Sequence, residues 1–383
     1  MATEDWSALF SSYGFDNPNF VKREEYIDFK TQYSNTLVRR RSRWSQLLSK
    51  NSLKRGRQRF AGRESHPINE RRYYICLYFF VVQIWLEISG AMQRLQAYPG
   101  LYRSLLSQQP PEKLLNVILV DVPRTYPENV HFRNADDSNS KLHSLERVLK
   151  AFAVRFPHIG YCQGFNYITA ILLLVLHGRP EEVEEQAFWL LDALVNGILP
   201  SYYSDDMVSV RRDCMVLGEL LRIKDNALYG VIVNSGVNFT VLCAKWFICL
   251  YADVLPIETT LRIFDCLFYE GDKILFRAGL ALIRLHRDQL LECDEFPVLM
   301  TAFRNMCRDK QTLWCHEFLQ VSHYSGNRTV LVFWYGKNPC QLTLRYLTQH
   351  TSHSLCICME PQEAHLLERG SYVLIFLKSI TVK

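Results

Sequence analysis

From Gln83 to about Gln320, apolar residues recur at three- and four-residue spacing between short polar breaks, which predicts a succession of helices. Phe165 to Leu176 is apolar except for Asn166 and Thr169 and reads as a continuous helix, stopped by Gly178 and Pro180. Glu181 to Leu194 restarts the pattern with acids in its first turn, where the helix dipole favours them. Its Ala187, Leu190, Leu191 and Leu194 share one face. Val241 to Val254 predicts a buried helix around Trp246. Pro256 stands where a first helical turn tolerates proline, and Leu261, Phe264, Leu267 and Phe268 give the helix that follows its apolar face. Ile274 to Leu291 repeats the arrangement. With no internal repeat and no alternation of strands and helices, the expected fold class is all-α.

Both ends depart from that pattern. Residues 1–37 read as a lead-in, with Gly14-Phe15 and Asn17-Pro18 as turn signals. After about Ser322 the period changes. Thr329–Tyr335 (TVLVFWY) and Ser371–Leu377 (SYVLIFL) are β-branched and aromatic, and are expected to be strands. A polar stretch bearing Cys and His lies between them without clear period. Two isolated strands pair poorly without a sheet to join, so the tail is expected to be loosely packed or an added element. The expected division is a lead-in and basic flank over 1–67, a helical domain over 68–320, and an atypical tail over 321–383.

Composition narrows the classes. The chain has 383 residues, 48% of them apolar, enough for a sizeable core. Charge is uneven: residues 38–72 carry twelve Lys/Arg against two acids, and residues 73–321 carry 23 against 28. The body is mildly acidic beside a basic flank. The twelve cysteines fall mostly in apolar runs, where a free thiol behaves as a small hydrophobe. No C-x-x-C pair and no signal-peptide pattern is present, so a reducing, cytoplasmic setting is expected. Tyr73–Leu86 is nearly all apolar, but at fourteen residues it is short of the roughly 20 that a spanning helix needs.

Candidate chemistry is sparse. Ile118-Leu119-Val120-Asp121-Val122-Pro123-Arg124-Thr125 offers a guanidinium, and Gly160-Tyr161-Cys162-Gln163-Gly164-Phe165-Asn166 offers a carboxamide at the start of an apolar helix. Taken singly, Arg124 reads as a solvated loop residue and Gln163 as a polar group satisfying a helix terminus. Cys162 has no histidine at an obvious partnering position for nucleophilic work. Glu258, Arg262 and Asp265, at i, i+4 and i+7, read as an ion-pair row on a surface or groove edge. Trp246 and Phe264 read as core. There is no G-x-x-x-x-G-K-[ST], no H-E-x-x-H, no G-x-S-x-G and no Gly-rich dinucleotide turn, so the chain is not itself a P-loop GTPase.

Three motifs in order resemble the TBC domain, the helical module that activates Rab-type small GTPases. Ile118, Asp121 and Arg124 match its I-x-x-D-x-x-R, and Tyr161, Gln163 and Gly164 match its Y-x-Q-G. Pro256-x-Glu258-x-x-Leu261-Arg262-x-Phe264-Asp265 is similar to its third block, with Phe264 where Trp is usual. The neighbourhoods FWLLDALV, WFICL and LRIFDCLF look most like the growth-hormone-regulated members. The resemblance implies that Arg124 and Gln163 act as an arginine and a glutamine finger in trans, supported by Asp121, Tyr161, Gly164 and Asn166. It implies a GTPase-facing surface that includes Ile118, Thr125, Glu258, Arg262 and Asp265. Gly164 is expected to permit close backbone approach at that surface, and Asp121 to hold the Arg124 fork when the site is empty. The implied partner is a Rab-type GTPase in its GTP state. GTP and Mg²⁺ belong to that partner, and the chain needs no cofactor or metal and has no nucleotide site of its own. An arginine supplied in this way accelerates hydrolysis by roughly 10³–10⁵, through a planar fixed charge that Lys reproduces poorly.

The chain departs from the family at its first domain helices, which carry R-x-x-x-W. Here no arginine lies four residues before Trp85, and removing Tyr73–Val82 would bring Arg71 to that spacing, so residues 73–82 look inserted. The insertion and the tail motivate an alternative reading, a helical adaptor that binds a GTPase or a membrane surface without catalysing. The basic flank 38–59, including Arg39, Arg40, Arg41, Arg43, Lys54, Arg55, Arg57 and Arg59, reads first as a solvated helix face. Peripheral contact with an anionic membrane comes second, and nucleic acid is not expected.

Overall fold

The structure, a computed structural model, describes residues 11, 13–49, 81–137, 140–200, 202–204, 206–326, 330–335, 341–347 and 352–358. The apolar stretch 73–80, residues 50–59 of the basic flank and the expected strand Ser371–Leu377 lie outside them. The chain forms two units, Met1–Phe318 and Leu319–Lys383.

The first unit is helical, as the spacing predicts. After α1 (Arg23–Ser49), the described chain resumes with α2 (Val81–Ile88), α3 (Ala91–Ala97), α4 (Leu101–Leu106) and α5 (Glu112–Asp121). Next come α6 (Leu142–Arg155), α7 (Phe165–Val175) and α8 (Pro180–Asp192). Nearly every residue of α7 is buried, which is why its sequence is apolar all round rather than amphipathic. It packs between α6 and α8, with Phe165 set edge-on against Phe152 at 5.5 Å. Among these helices Glu184 is buried and satisfied on all sides. It accepts from the Tyr102 hydroxyl at 3.0 Å, Ser144 Oγ at 2.8 Å, and Arg147 Nε and Nη2 at 3.0 and 2.6 Å. The expected helix Glu181–Leu194 instead changes winding at Ala193 and finishes as a π-helical turn, Ala193–Ile198. There Asp192 takes hydrogen bonds from Arg94 Nη1 at 2.6 Å and Asn196 Nδ2 at 2.7 Å.

The remaining helices are α9 (Val208–Lys224), α10 (Asn226–Asn234), α11 (Phe239–Ile248), α12 (Ile257–Glu270), α13 (Lys273–Leu285), α14 (Arg287–Leu291), α15 (Phe296–Asn305), α16 (Lys310–Leu313) and α17 (Cys315–Gly326). The predicted helix Val241–Val254 ends early, at Ile248, because Leu250 and Tyr251 turn into the left-handed region at φ 49° and 66°. Tyr251 is held there by its amide, which donates to the Trp246 carbonyl at 2.8 Å, and by its hydroxyl, which donates to the Leu275 carbonyl at 2.7 Å. The predicted helix Ile274–Leu291 likewise breaks at His286 into α13 and α14. Trp246 and Phe264 are buried, as their apolar contexts predict. Among the described residues no single helix is long and apolar enough to cross a membrane.

The second unit contains a three-stranded antiparallel sheet: β1 (Val330–Tyr335), β2 (Gln341–Leu347) and β3 (Ser352–Cys358), in that order. Val330 faces Leu347 across the first pair, and Gln341 faces Cys358 across the second. The stretch read as lacking a period thus supplies two strands. Leu342, Leu344 and Tyr346 do alternate in β2, but over a length too short to separate from chance.

The third motif block required the largest correction. Glu258, Arg262 and Asp265 form neither a surface row nor a GTPase-facing edge: each is at most 5% exposed. Arg262 pairs with Asp265 inside the core, and Asp265 also accepts from Trp85 Nε1 at 3.0 Å. Trp85 lies against Phe268 at 5.0 Å and Phe264 at 6.1 Å. The Arg262–Asp265 pair therefore ties α2 to α12. Spacing along one helix cannot show that the ion pair faces inward, because the partner that satisfies it comes from 180 residues away.

Two predictions follow from these buried charges. Arg262→Leu strands the Asp265 carboxylate in the core and is expected to cost about 3–5 kcal/mol, measured as a lowered urea midpoint at unchanged slope. Glu258 sits beneath α1, where burial outweighs its own backbone amide and the Lys30 charge and raises its pKa from 4.5 to about 7. The folded chain therefore holds this proton up to about pH 7 whereas the unfolded chain releases it near 4.5, so this contribution to stability is full below 4.5 and is lost as pH rises through 7. Glu258→Gln should be nearly neutral at pH 5 and should stabilise at pH 8. Equal effects at the two pH values would refute the assignment.

Candidate functional site

The first loop grows from the C-terminus of α5. Val122 and Thr125 continue the turn through amides that donate to the carbonyls of Ile118 (2.9 Å) and Val122 (3.2 Å). Asp121 is 1% exposed and Ile118 is fully buried, so the helix end is anchored in the core. Three residues past this buried carboxylate, the Arg124 side chain is 53% exposed and its guanidinium pairs with Asp121. That is the resting contact the spacing predicts. The chain then turns sharply at Tyr126, whose φ of 48° is rare for a bulky L-residue.

The second loop precedes α7. Phe165 is buried and docks against Tyr203 at 4.6 Å, fixing the helix start. Gly164, at φ 118°, has room only for a hydrogen. A Cβ there would sit 3.0 Å from Ile248 Cγ2, 3.2 Å from the Ile248 carbonyl oxygen and 3.3 Å from Cys249 Sγ. Its close approach is thus to the end of α11, inside the molecule, and not to a partner surface. Gln163, one residue earlier, is exposed. Cys162 is buried, and burial pushes its thiol up to about 12. Its thiolate, the nucleophilic form, is therefore suppressed near neutral pH.

A short chain of buried hydrogen bonds joins the loops. Asn166 accepts from the Gly164 amide at 3.1 Å through Oδ1 and donates to Thr125 Oγ1 at 2.8 Å through Nδ2. Thr125 Oγ1 in turn donates to the Asp121 carbonyl at 2.8 Å. The Tyr161 hydroxyl donates to Asp121 Oδ2 at 2.6 Å, and burial together with that carboxylate raises the phenol's pKa. The residues bonded across the gap, Thr125 and Gly164, stand next to Arg124 and Gln163 in sequence. The Arg124 charge is also felt at the hydroxyls of Tyr161 and Tyr167, which bracket Gln163. The arrangement presents an exposed guanidinium and an exposed carboxamide from two loops locked to one another. Among the described residues no three His, Cys, Asp or Glu side chains cluster as a metal site would require.

Asp121, Tyr161, Gly164 and Asn166 thus all belong to the buried support beneath Arg124 and Gln163. Ile118 and Thr125, expected to face a partner, are both 0% exposed. Ile118 is a core anchor, and Thr125 relays the hydrogen bond between the loops. Of the third-block residues, Arg262 and Asp265 belong to the α2–α12 contact described above and Glu258 to the cover of α12 by α1. Sequence reading missed three residues. Tyr167 lies in the first turn of α7, four positions after Gln163, and it is only half-buried in an otherwise sealed helix. Tyr126 donates from its hydroxyl to the Ala252 carbonyl. Asn129, fully buried, stiffens the chain beyond Tyr126 by accepting from the His131 amide at 2.9 Å. The Tyr126-Pro127 pair was a turn signal in the sequence, but nothing along the chain shows what it packs against.

Residues 40–291 match the Rab-GTPase-TBC domain family. Over 310 residues the chain is 38% identical to "Growth hormone-regulated TBC protein 1" of Homo sapiens, a match covering 80% of this chain and 87% of that one. It is 36% identical over 316 residues to "Growth hormone-regulated TBC protein 1-A" of Danio rerio, covering 81% and 83%. It is 30% identical over 326 residues to "GTPase-activating protein MSB4" of Saccharomyces cerevisiae, covering 74% and 63%. Among solved structures it superimposes on the Chlamydomonas flagellar RabGAP TBC domain with a TM-score of 0.66 at 25% identity, covering 82% of this chain and 98% of that one. The Ypt/Rab-GAP domain of Gyp1p shares the fold, with a TM-score of 0.58 at 19% identity and coverage of 76% and 97%.

Replacing Asn166 by Ala removes both of its bonds and leaves the buried Gly164 amide without its acceptor. The expected cost is about 1–3 kcal/mol, measured by urea unfolding. An unchanged midpoint would show that the two loops are joined by something other than this carboxamide.

Proposed function

We propose, because this chain belongs to the Rab-GTPase-TBC domain family and presents Arg124 and Gln163 as exposed side chains on two bonded loops, that it accelerates GTP hydrolysis on a Rab-type small GTPase. The observation that carries the reading is the Asp121–Thr125–Asn166–Gly164 bridge, which keeps the two exposed groups together. The nucleotide and its Mg²⁺ are the partner's, and this chain acts in trans.

Hydrolysis of GTP spreads negative charge over the transferring phosphoryl group. A guanidinium delivered to that charge stabilises the transition state more than the ground state, which is what lowers a barrier. Arg124 suits this work: it is planar, permanently charged and half-exposed, and Asp121 pre-orients it without burying it. A carboxamide can accept from the attacking water and donate to the phosphate at once, and Gln163 has that capacity. Supplying both groups from one rigid support means that docking positions them together. The exposed face of α5 beside Arg124 carries Val117, Leu119 and Val120 at 44%, 42% and 62% exposure. An apolar surface of this kind next to charged chemistry suits coverage by a partner protein.

Single-turnover hydrolysis on a panel of GTP-loaded Rab proteins tests the reading. Arg124→Ala is expected to remove roughly 10³-fold or more of the stimulation, with Arg124→Lys restoring little. Gln163→Ala should lose stimulation while retaining binding to the GTP-bound partner. Val120→Asp should instead raise KM by on the order of tenfold at unchanged kcat. Full stimulation by Arg124→Ala would end the proposal, and binding without stimulation by the unaltered chain would make it an adaptor.

A further inference from the structure

The lead-in, expected only to carry turn signals, folds onto the arginine loop. Residues 11 and 13–15 are drawn into a tight turn: Ser11 Oγ accepts from the amides of Tyr13 at 3.2 Å and Phe15 at 3.1 Å, and the Ser11 amide donates to the Phe15 carbonyl at 2.7 Å. The turn is bonded to the segment that follows Arg124. The Val130 amide donates to the Gly14 carbonyl at 2.9 Å, and Asn129 Nδ2 donates to the Tyr13 carbonyl at 2.9 Å. Gly14 has φ 83°, and a Cβ on it would come within 2.7 Å of Val130 Cγ2 and 2.9 Å of His131 Cδ2. The fit leaves no space for a side chain. Phe15 then meets Tyr126 edge to face, with ring centroids 5.0 Å apart.

Tyr126 is the reason this contact matters. It lies two residues after Arg124 and holds a left-handed backbone that an aromatic residue adopts only when its surroundings dictate it. Those surroundings are Phe15, Tyr167 at 5.2 Å, Phe132 at 6.3 Å and the Ala252 carbonyl. One of the four comes from the lead-in. The turn is itself anchored: the Tyr13 and Tyr33 hydroxyls share a hydrogen bond of 3.2 Å, which ties it to α1. In turn α1 sets Phe29 edge-on against Trp314 at 5.5 Å, stacks Tyr33 on His316 at 6.0 Å, and pairs Glu25 with Lys310 at 2.6 Å. The side chains that make the brace, from Ser11 to Tyr33 and from Lys310 to His316, lie outside residues 40–291, the segment that matches the family.

We propose that the turn formed by residues 11 and 13–15 is a positioning element for Arg124: it clamps the Tyr126 bend and so fixes the direction from which the guanidinium leaves the core. Its effect on rate rests on the function proposed above. Its effect on the loop does not. A small misplacement of a group acting on a transition state lowers turnover with little change in binding.

The test compares Phe15→Ala, Phe15→Tyr and Gly14→Ala in the full chain. In single-turnover hydrolysis on a responsive GTP-loaded Rab protein, Phe15→Ala and Gly14→Ala should lower kcat by on the order of tenfold at unchanged KM. Phe15→Tyr should restore the wild-type rate. Added to Arg124→Ala, Phe15→Ala should cause no further loss, because the two act through one group. Independently of any GTPase, hydrogen exchange should report lost amide protection across residues 122–133 in Phe15→Ala. Unchanged protection there, a rise in KM alone, or losses that multiply in the double variant would overturn the proposal. If the wild-type chain stimulates no GTPase, the functional reading fails while the exchange measurement still decides the brace.

Discussion

The candidate site is held together by buried hydrogen bonds between its two loops, with the Asn166 carboxamide at their centre. Asn166 is bonded to both loops at once, taking the Gly164 amide with its oxygen and giving its amino group to Thr125. A buried group in this position must be satisfied on both sides, so the two loops cannot separate without leaving polar atoms unpaired in the core. The geometry of Arg124 and Gln163 follows from that requirement. Neither exposed side chain needs a contact with the other, because each is the sequence neighbour of a residue that is locked. Asp121 adds a second constraint by holding the Tyr161 hydroxyl and the Arg124 guanidinium from one carboxylate.

Charge inside this fold is used for joining helices. Glu184 draws α4, α6 and α8 together, and Asp265 draws α2 to α12 through Trp85 and Arg262. Such knots need every donor and acceptor in place, and removing one partner leaves a charge in low dielectric. They therefore specify which helices meet more strictly than apolar packing would. Glu258 is the less satisfied case: Lys30 only partly offsets its desolvation, and the group lies where α1 covers α12. The third motif block is thus architectural in this chain, although its polar residues look like surface chemistry when read in one dimension.

The boundary of the functional unit also shifts. The segment that matches the family begins at residue 40, yet the Tyr126 bend beyond Arg124 is packed by Phe15. A strained aromatic backbone survives because several rings and two hydrogen-bonded turns agree on it. The loop carrying Arg124 is to that extent built from both sides of the domain boundary.

Much of this was legible along the chain. The three- and four-residue spacing identified the helical body, and it did so because burial of one helix face is written into neighbouring residues. The strand at Val330–Tyr335 was legible from its β-branched and aromatic content. The pairing of Asp121 with Arg124 was legible because it depends on contacts within a few residues. What the sequence could not show was which polar residues face inward. Thr125, Glu258, Arg262 and Asp265 read as surface, and Gly164 as a partner contact, until Asn166, Trp85 and the end of α11 were brought to them from far along the chain. The early end of α11 at Ile248, the break at His286 and the role of Phe15 had the same origin. Periodicity reports that a residue prefers the interior or the solvent, whereas the satisfaction of a buried donor, carboxylate or strained turn belongs to a pair of distant segments, and only the tertiary structure decides which segments those are.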